Sequence, residues 1–260
     1  MKRLIQSALV IFLLFSSCKK DKLFDKIDSV IRMKMGETFY PANRTFQFSC
    51  STEKIYECCN YTINKDFDIS NNKIDIDFIS IINPEICLTA TGPATTTVDL
   101  GTLSNGTYEL EISVGDEKST GHLIVSTDSY VITLDQQKQI QIVNNTLNRV
   151  PANTIWGTVG YDTISTTNLV QTFIDSLQLL GATTPTYATG DYGYFQIDGN
   201  GQIVAPTNSG YNFIRPYIYN YSNNSSTIKT LVKNYGMNHN DSLKISLYTT
   251  QGEIFNSWVQ

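Results

Sequence analysis

Two histidines, His122 and His239, are the whole supply of imidazole in this chain. Nucleophilic catalysis on Ser or Cys needs a base within hydrogen-bond reach. His122 lies in the strand-like run Gly121-His-Leu-Ile-Val125, and His239 in the turn Asn238-His-Asn-Asp241. Neither adjoins a Gly-x-Ser-x-Gly elbow, so each reads as a surface or satisfied structural residue. Carboxylates pair at Asp66/Asp68 and Asp75/Asp77. Glycoside hydrolysis needs two acids facing each other across a cleft. At i, i+2 on one strand, acids share a face, which reads as the solvated side of a sheet. Asp198-Gly-Asn-Gly201 opens like a calcium loop, but Gln202 and Ile203 stand where an oxygen ligand and the turn glycine belong. It reads as a hairpin turn. No catalytic residue, metal site or cofactor is therefore expected, and the chain reads as a non-enzyme.

Residues 1–18 run from a basic start, Lys2-Arg3, through an apolar stretch, Leu4 to Phe15, to Ser16-Ser17-Cys18. That is the anatomy of a secretory signal, and about a dozen apolar residues are too few to span a bilayer. Small residues directly before a Cys resemble the lipobox of bacterial (Gram-negative) lipoproteins. Phe15 stands where that family usually has Leu, with Leu14 one place earlier. The resemblance implies removal of residues 1–17, lipidation of Cys18 and attachment to the membrane by lipid alone. Lys19, where an Asp would imply retention in the inner membrane, implies the outer membrane, facing the periplasm or the cell surface. Residues 18–26 would then be a polar tether. Loss of Lys2 and Arg3 takes the formal charge from −5 to −7. An acidic chain of this kind disfavours nucleic acid and anionic membrane surfaces as partners.

Beyond Cys18 stand Cys50, Cys58, Cys59 and Cys87. An even number in an oxidising compartment reads as two disulfides. A vicinal Cys58–Cys59 bridge is strained, so each of that pair is expected to join Cys50 or Cys87. Zinc on four cysteines is the rival, but the spacing lacks a Cys-x-x-Cys pair.

The stronger signal is aromatic: 15 Tyr and 12 Phe, with a cluster on one stretch. Over 211–221, Tyr211, Phe213, Arg215, Tyr217, Tyr219 and Tyr221 share one face by the period of two. Tyr192 and Tyr194 repeat the pattern just before it, and Trp156 lies opposite Ile155 and Val159. Ile214, Ile218, Phe195 and Ile197 suit a helix-covered core. The tyrosines are then expected on the opposite, open face. A Tyr ring with a polar tip suits a half-wet surface that stacks a sugar or holds a protein. The same rings could equally pack within the chain, since Tyr is favoured in strands.

The elements that must position these residues fall into two groups. Residues 27–145 alternate apolar and polar positions between turn signals, as at Ile74, Ile76 and Phe78 after Asn71-Asn72. Leu103-Ser-Asn-Gly-Thr-Tyr108 before a strand resembles the tyrosine corner of immunoglobulin-like domains. An immunoglobulin-like β-sandwich is expected there. Residues 146–153 read as a linker. Residues 154–260 read as strand, helix over 166–180, strands, a second helix ended by Gly236, and a final strand pair. That order resembles a ferredoxin-like α+β domain. The fold class expected is mainly β plus α+β.

These readings converge on an outer-membrane lipoprotein serving as a non-catalytic binding or adhesion module for a glycan or protein. A structural subunit of an envelope complex is the alternative, and a hydrolase or enzyme inhibitor a third.

Overall fold

The computed structural model describes residues 24–207, 210–239 and 241–258. Cys18, the signal and most of the tether lie outside the described residues. In chain order the strands are β1 Phe24–Asp25, β2 Ile31–Phe39, β3 Arg44–Tyr56, β4 Thr62–Ser70, β5 Lys73–Ile82 and β6 Gly92–Asp99. There follow β7 Gly106–Val114, β8 Glu117–Val125, β9 Ser129–Gln136, β10 Ile140–Ile142 and β11 Thr146–Asn148. Then come β12 Thr154–Tyr161, helix α1 Thr167–Leu179, β13 Gly190–Asp191, β14 Gln196–Ile197 and β15 Phe213–Asn220. Helix α2 Ser225–His239, β16 Lys244–Thr249 and β17 Ile254–Asn256 complete the described chain.

Strict alternation makes the strands. In β2, Ile31, Met33 and Met35 are buried while Arg32 and Lys34 are exposed. Asn71 and Asn72 both take positive φ, at 50° and 61°, which turns β4 tightly into β5. The inward faces of β2 to β11 form one core, with Phe46, Phe48, Phe78 and Tyr130 among its largest fully buried side chains.

The immunoglobulin-like sandwich is overturned by the pairing. Ten strands follow one continuous path, β10-β2-β3-β6-β4-β5-β7-β8-β9-β11, and β1 adds to β5. The sheet is mixed, with parallel pairs at β10–β2, β4–β6 and β5–β7. It is curled into a half-barrel. Residues 140–148 draw its two ends together. Val143 N donates to Met33 O on one edge, and Ile132 N to Asn145 O on the other. Covering both edges with one segment shields their unpaired backbone groups. The tyrosine corner does form, with Tyr108 Oη donating to Ser104 O at 3.0 Å. It is a local device, and it does not determine which strands pair around it.

The ferredoxin-like layout is overturned in the same way. The second sheet has the order β15-β12-β16-β17, and every pair in it is antiparallel. In a split β-α-β unit the sheet strand that follows the first helix runs parallel to β12 with another strand between them, whereas here β15 pairs directly with β12 and runs antiparallel to it. Residues 180–212 return the chain before β15 begins, so β15 runs back alongside β12. Both helices cover one face, through Val170, Phe173, Ile174 and Leu177 of α1 and Ile228 and Val232 of α2. Gly236 does not end α2. A side chain there would collide with the Ser257 carbonyl, so the glycine lets the helix press on the chain after β17.

Candidate functional site

The face of the second sheet away from the helices carries Trp156, Ile218 and Tyr248. Residues 183–207 fold back over it and add Tyr187, Tyr192, Phe195, Ile197 and Ile203. Phe39, at the end of β2, joins from the half-barrel. The rings touch at specific geometries. Trp156 stacks on Tyr248 at 5.9 Å and lies 5.1 Å from Tyr194 and 5.7 Å from Phe39. Tyr192 stacks on Phe195 at 5.0 Å.

These rings leave a cleft of about 720 Å³ between the sheet and the fold-back segment. Trp156, Tyr248 and Phe195 line it, and Tyr194 stands at its edge with 44% of its surface open to solvent. Lys34, Thr158, Asp191 and Gln196 bring polar groups to the same space. Asp191 is held by Gly193 N at 2.7 Å and Asn144 Nδ2 at 3.4 Å. A mostly apolar, aromatic concavity with a few fixed polar groups is the usual form of a small-ligand site.

The wall is anchored to the half-barrel. Tyr194 Oη donates to Glu37 O at 2.8 Å. The Glu37 carboxylate is buried and accepts from Tyr130 Oη at 2.9 Å. Arg44 Nη1 lies 3.3 Å and Arg149 Nε 3.4 Å from it. The Arg149 contact is an ion pair without hydrogen-bond geometry. Arg44 also donates to Val150 O at 2.8 Å, which ties residues 149–150 between the sheets. Burial, reinforced by the Glu37 charge, raises the Tyr130 phenol well above its usual range. Burial likewise raises the Tyr192 and Tyr194 phenols.

Of the residues singled out from sequence, Trp156 and Tyr194 are brought together at the cleft, and Tyr192 is buried in the aromatic cluster behind it. The others do not join them. Tyr217, Tyr219 and Tyr221 are buried in the helix-covered core, opposite to the expected open face. The register explains the reversal. Tyr219 pairs with Ile155 and Tyr217 with Gly157, and Ile155 belongs to the helix face. Ile218 therefore goes to the cleft side with Trp156. The phenols are satisfied in place, since Tyr217 Oη donates to Ser246 O at 2.8 Å and Tyr221 Oη to Asn224 O at 3.2 Å. Phe195 and Ile197 also leave the helix core for the cleft cluster. Phe213 stacks on Tyr161 at 5.3 Å, whereas Tyr211 packs over Gly160 on the other face, before the strand begins. Arg215 is exposed on β15. Sequence reasoning missed Tyr248, Phe39 and Lys34. Tyr248 alternates with Ile245 and Leu247 in β16, a signal that parity alone could have raised.

Of the four cysteines, Cys58 joins Cys87, while Cys50 is buried and free and Cys59 exposed and free. The second expected disulfide is thus absent, because β3 turns the Cys50 side chain into the core. His122 is exposed, 3.6 Å from Asp135. Asp198 Oδ1 accepts from Asn200 N and Gln202 N, as a hairpin turn requires. Among the described residues no three His, Cys, Asp or Glu are placed to hold a metal ion. No family model, curated protein or solved structure matches this chain.

Proposed function

We propose that this protein is a lipid-anchored envelope module that binds a glycan, without catalysis, in the cleft around Trp156. The supporting observation is the arrangement of Trp156, Tyr194 and Tyr248 beside Lys34, Asp191 and Gln196 in one open concavity. Aromatic faces offer apolar contact to the C–H side of a sugar, and the polar groups offer donors and acceptors to its hydroxyls. The lipid anchor rests on the N-terminal sequence through Cys18.

The cleft is tested by the emission of Trp156 in a Trp258→Phe background, since the chain has only 2 Trp. Neutral hexasaccharides of xylose, glucose and mannose are the probes. Binding of at least one should change the emission, and Tyr194→Ala should weaken it about tenfold, as for loss of one aromatic contact. Unchanged emission with all three and with hexagalacturonate and a chondroitin sulfate hexasaccharide, together with no retardation in gels containing the polymers, overturns the reading. For the anchor, Cys18→Ser should abolish labelling by a palmitate analogue, and persistent label would refute it.

A further inference from the structure

The outer face of the half-barrel is electrostatically divided. On β4, β5 and β7 it carries Asp66, Asp68, Asp75, Asp77 and Glu111. On β2 it carries Arg32 and Lys34, both exposed. Acids partner other cations in the chain, such as Lys54, Lys73, Lys118 and Lys138. Neither Arg32 nor Lys34 forms an ion pair among the described residues. In a chain of net charge −5, two unpaired cations on one strand face form a local positive site.

Register turns that site into a groove. Lys34 pairs with Ser49, and Ser49 with Thr97. Arg32 pairs with Ser51, and Ser51 with Thr95. All six residues line one depression of about 440 Å³. The two rows are spaced about 7 Å apart along the strands, of the order of one sugar unit. Each row has a cation at one end and two hydroxyls after it, which can donate and accept. Lys34 also lines the aromatic cleft, so the groove and the cleft are continuous through one side chain.

Resting on the glycan reading above, we propose that the ligand is an anionic polysaccharide, carboxylate- or sulfate-bearing. One sugar stacks in the aromatic cleft, and the chain continues past Lys34 over the Arg32 groove. The acidic outer face of β4, β5 and β7 repels the same polymer, which restricts it to one track. Charge of this kind sets specificity and salt dependence more than total affinity.

Calorimetry on the full chain in detergent tests this with hexagalacturonate, a chondroitin sulfate hexasaccharide and neutral xylohexaose. At least one anionic probe should bind about tenfold tighter than xylohexaose at about 20 mM salt, an advantage that collapses at about 500 mM. Which anionic probe leads separates carboxylate from sulfate recognition. Arg32→Gln should weaken the preferred anionic probe about fivefold, as for one exposed ion pair. Equal affinity for neutral and anionic probes, or insensitivity to both salt and Arg32→Gln, overturns the groove. The cleft reading survives that result if xylohexaose still depends on Tyr194. Binding of none of the three overturns both.

Discussion

Replacing Glu37 with Gln should loosen the joint between the half-barrel and the cleft wall, at a cost that follows from its surroundings. The Glu37 side chain is 1% exposed, while Arg44 and Arg149 are 22% and 17% exposed. Glu37→Gln keeps the shape and removes the charge, leaving two guanidiniums without their counter-ion. Breaking a buried ion pair costs about 3–5 kcal/mol. Both arginines reach solvent and recover part of their hydration, so the lower end applies, about 3 kcal/mol. For a protein of this size that is a fall in Tm of about 6–12 °C. Tyr130→Phe removes one charge-assisted hydrogen bond and should cost about 2 kcal/mol. The double variant should cost less than the two together, because both changes act on the same carboxylate. Urea unfolding followed by far-ultraviolet circular dichroism, with m unchanged, measures all three. A loss below about 1 kcal/mol for Glu37→Gln, or strict additivity with Tyr130→Phe, would refute the reasoning.

Four further outcomes are expected. Gly157→Ala would drive a methyl group against the Ser246 carbonyl and within 2.7 Å of the Tyr217 hydroxyl, costing about 3 kcal/mol in urea unfolding; a neutral result would show that the sheet yields there. Burial raises the Tyr130 and Tyr217 phenols in the fold. A raised folded value adds stability that is complete below the unfolded phenol's value of about 10 and erodes as the pH climbs from there. Absorbance at about 295 nm should thus show these phenols ionising only with unfolding, and full ionisation with the fold intact would contradict their burial. The Cys58–Cys87 bridge spans 29 positions, so its loss by Cys87→Ser should cost about 3–4 kcal/mol. A thiol reagent should modify exposed Cys59 in the native protein. It should reach Cys50, whose thiol burial pushes up to about 12, only in denaturant. Native labelling of Cys50 would refute its placement.

Much of the local structure was legible because it depends on neighbours in sequence. The Asn71-Asn72 turn, the tyrosine corner at Tyr108 and the helix at Thr167–Leu179 each form where short-range chemistry places them. The candidate site was legible only in part. Trp156 and Tyr194 could be paired by parity, but their face could be named only once β15 was registered against β12. Period two says that Tyr217, Tyr219 and Tyr221 share a face; it does not say which face. Preference pointed the isoleucines inward, yet Gly157 made room for the Tyr217 ring and Ser246 O accepted its hydroxyl.

The residue inventory by itself determined the scarcity of imidazole, the acidic balance, the lipobox-like start and the alternation that makes strands. Tertiary structure alone decided that residues 140–148 join both ends of one curled sheet, that Cys50 is sealed in its core, and that 183–207 fold back to form a cleft. The reason is physical. Propensity and alternation act over a few residues, whereas strand pairing and cleft walls depend on which distant faces best bury one another, as Glu37 and Tyr194 do across 157 positions.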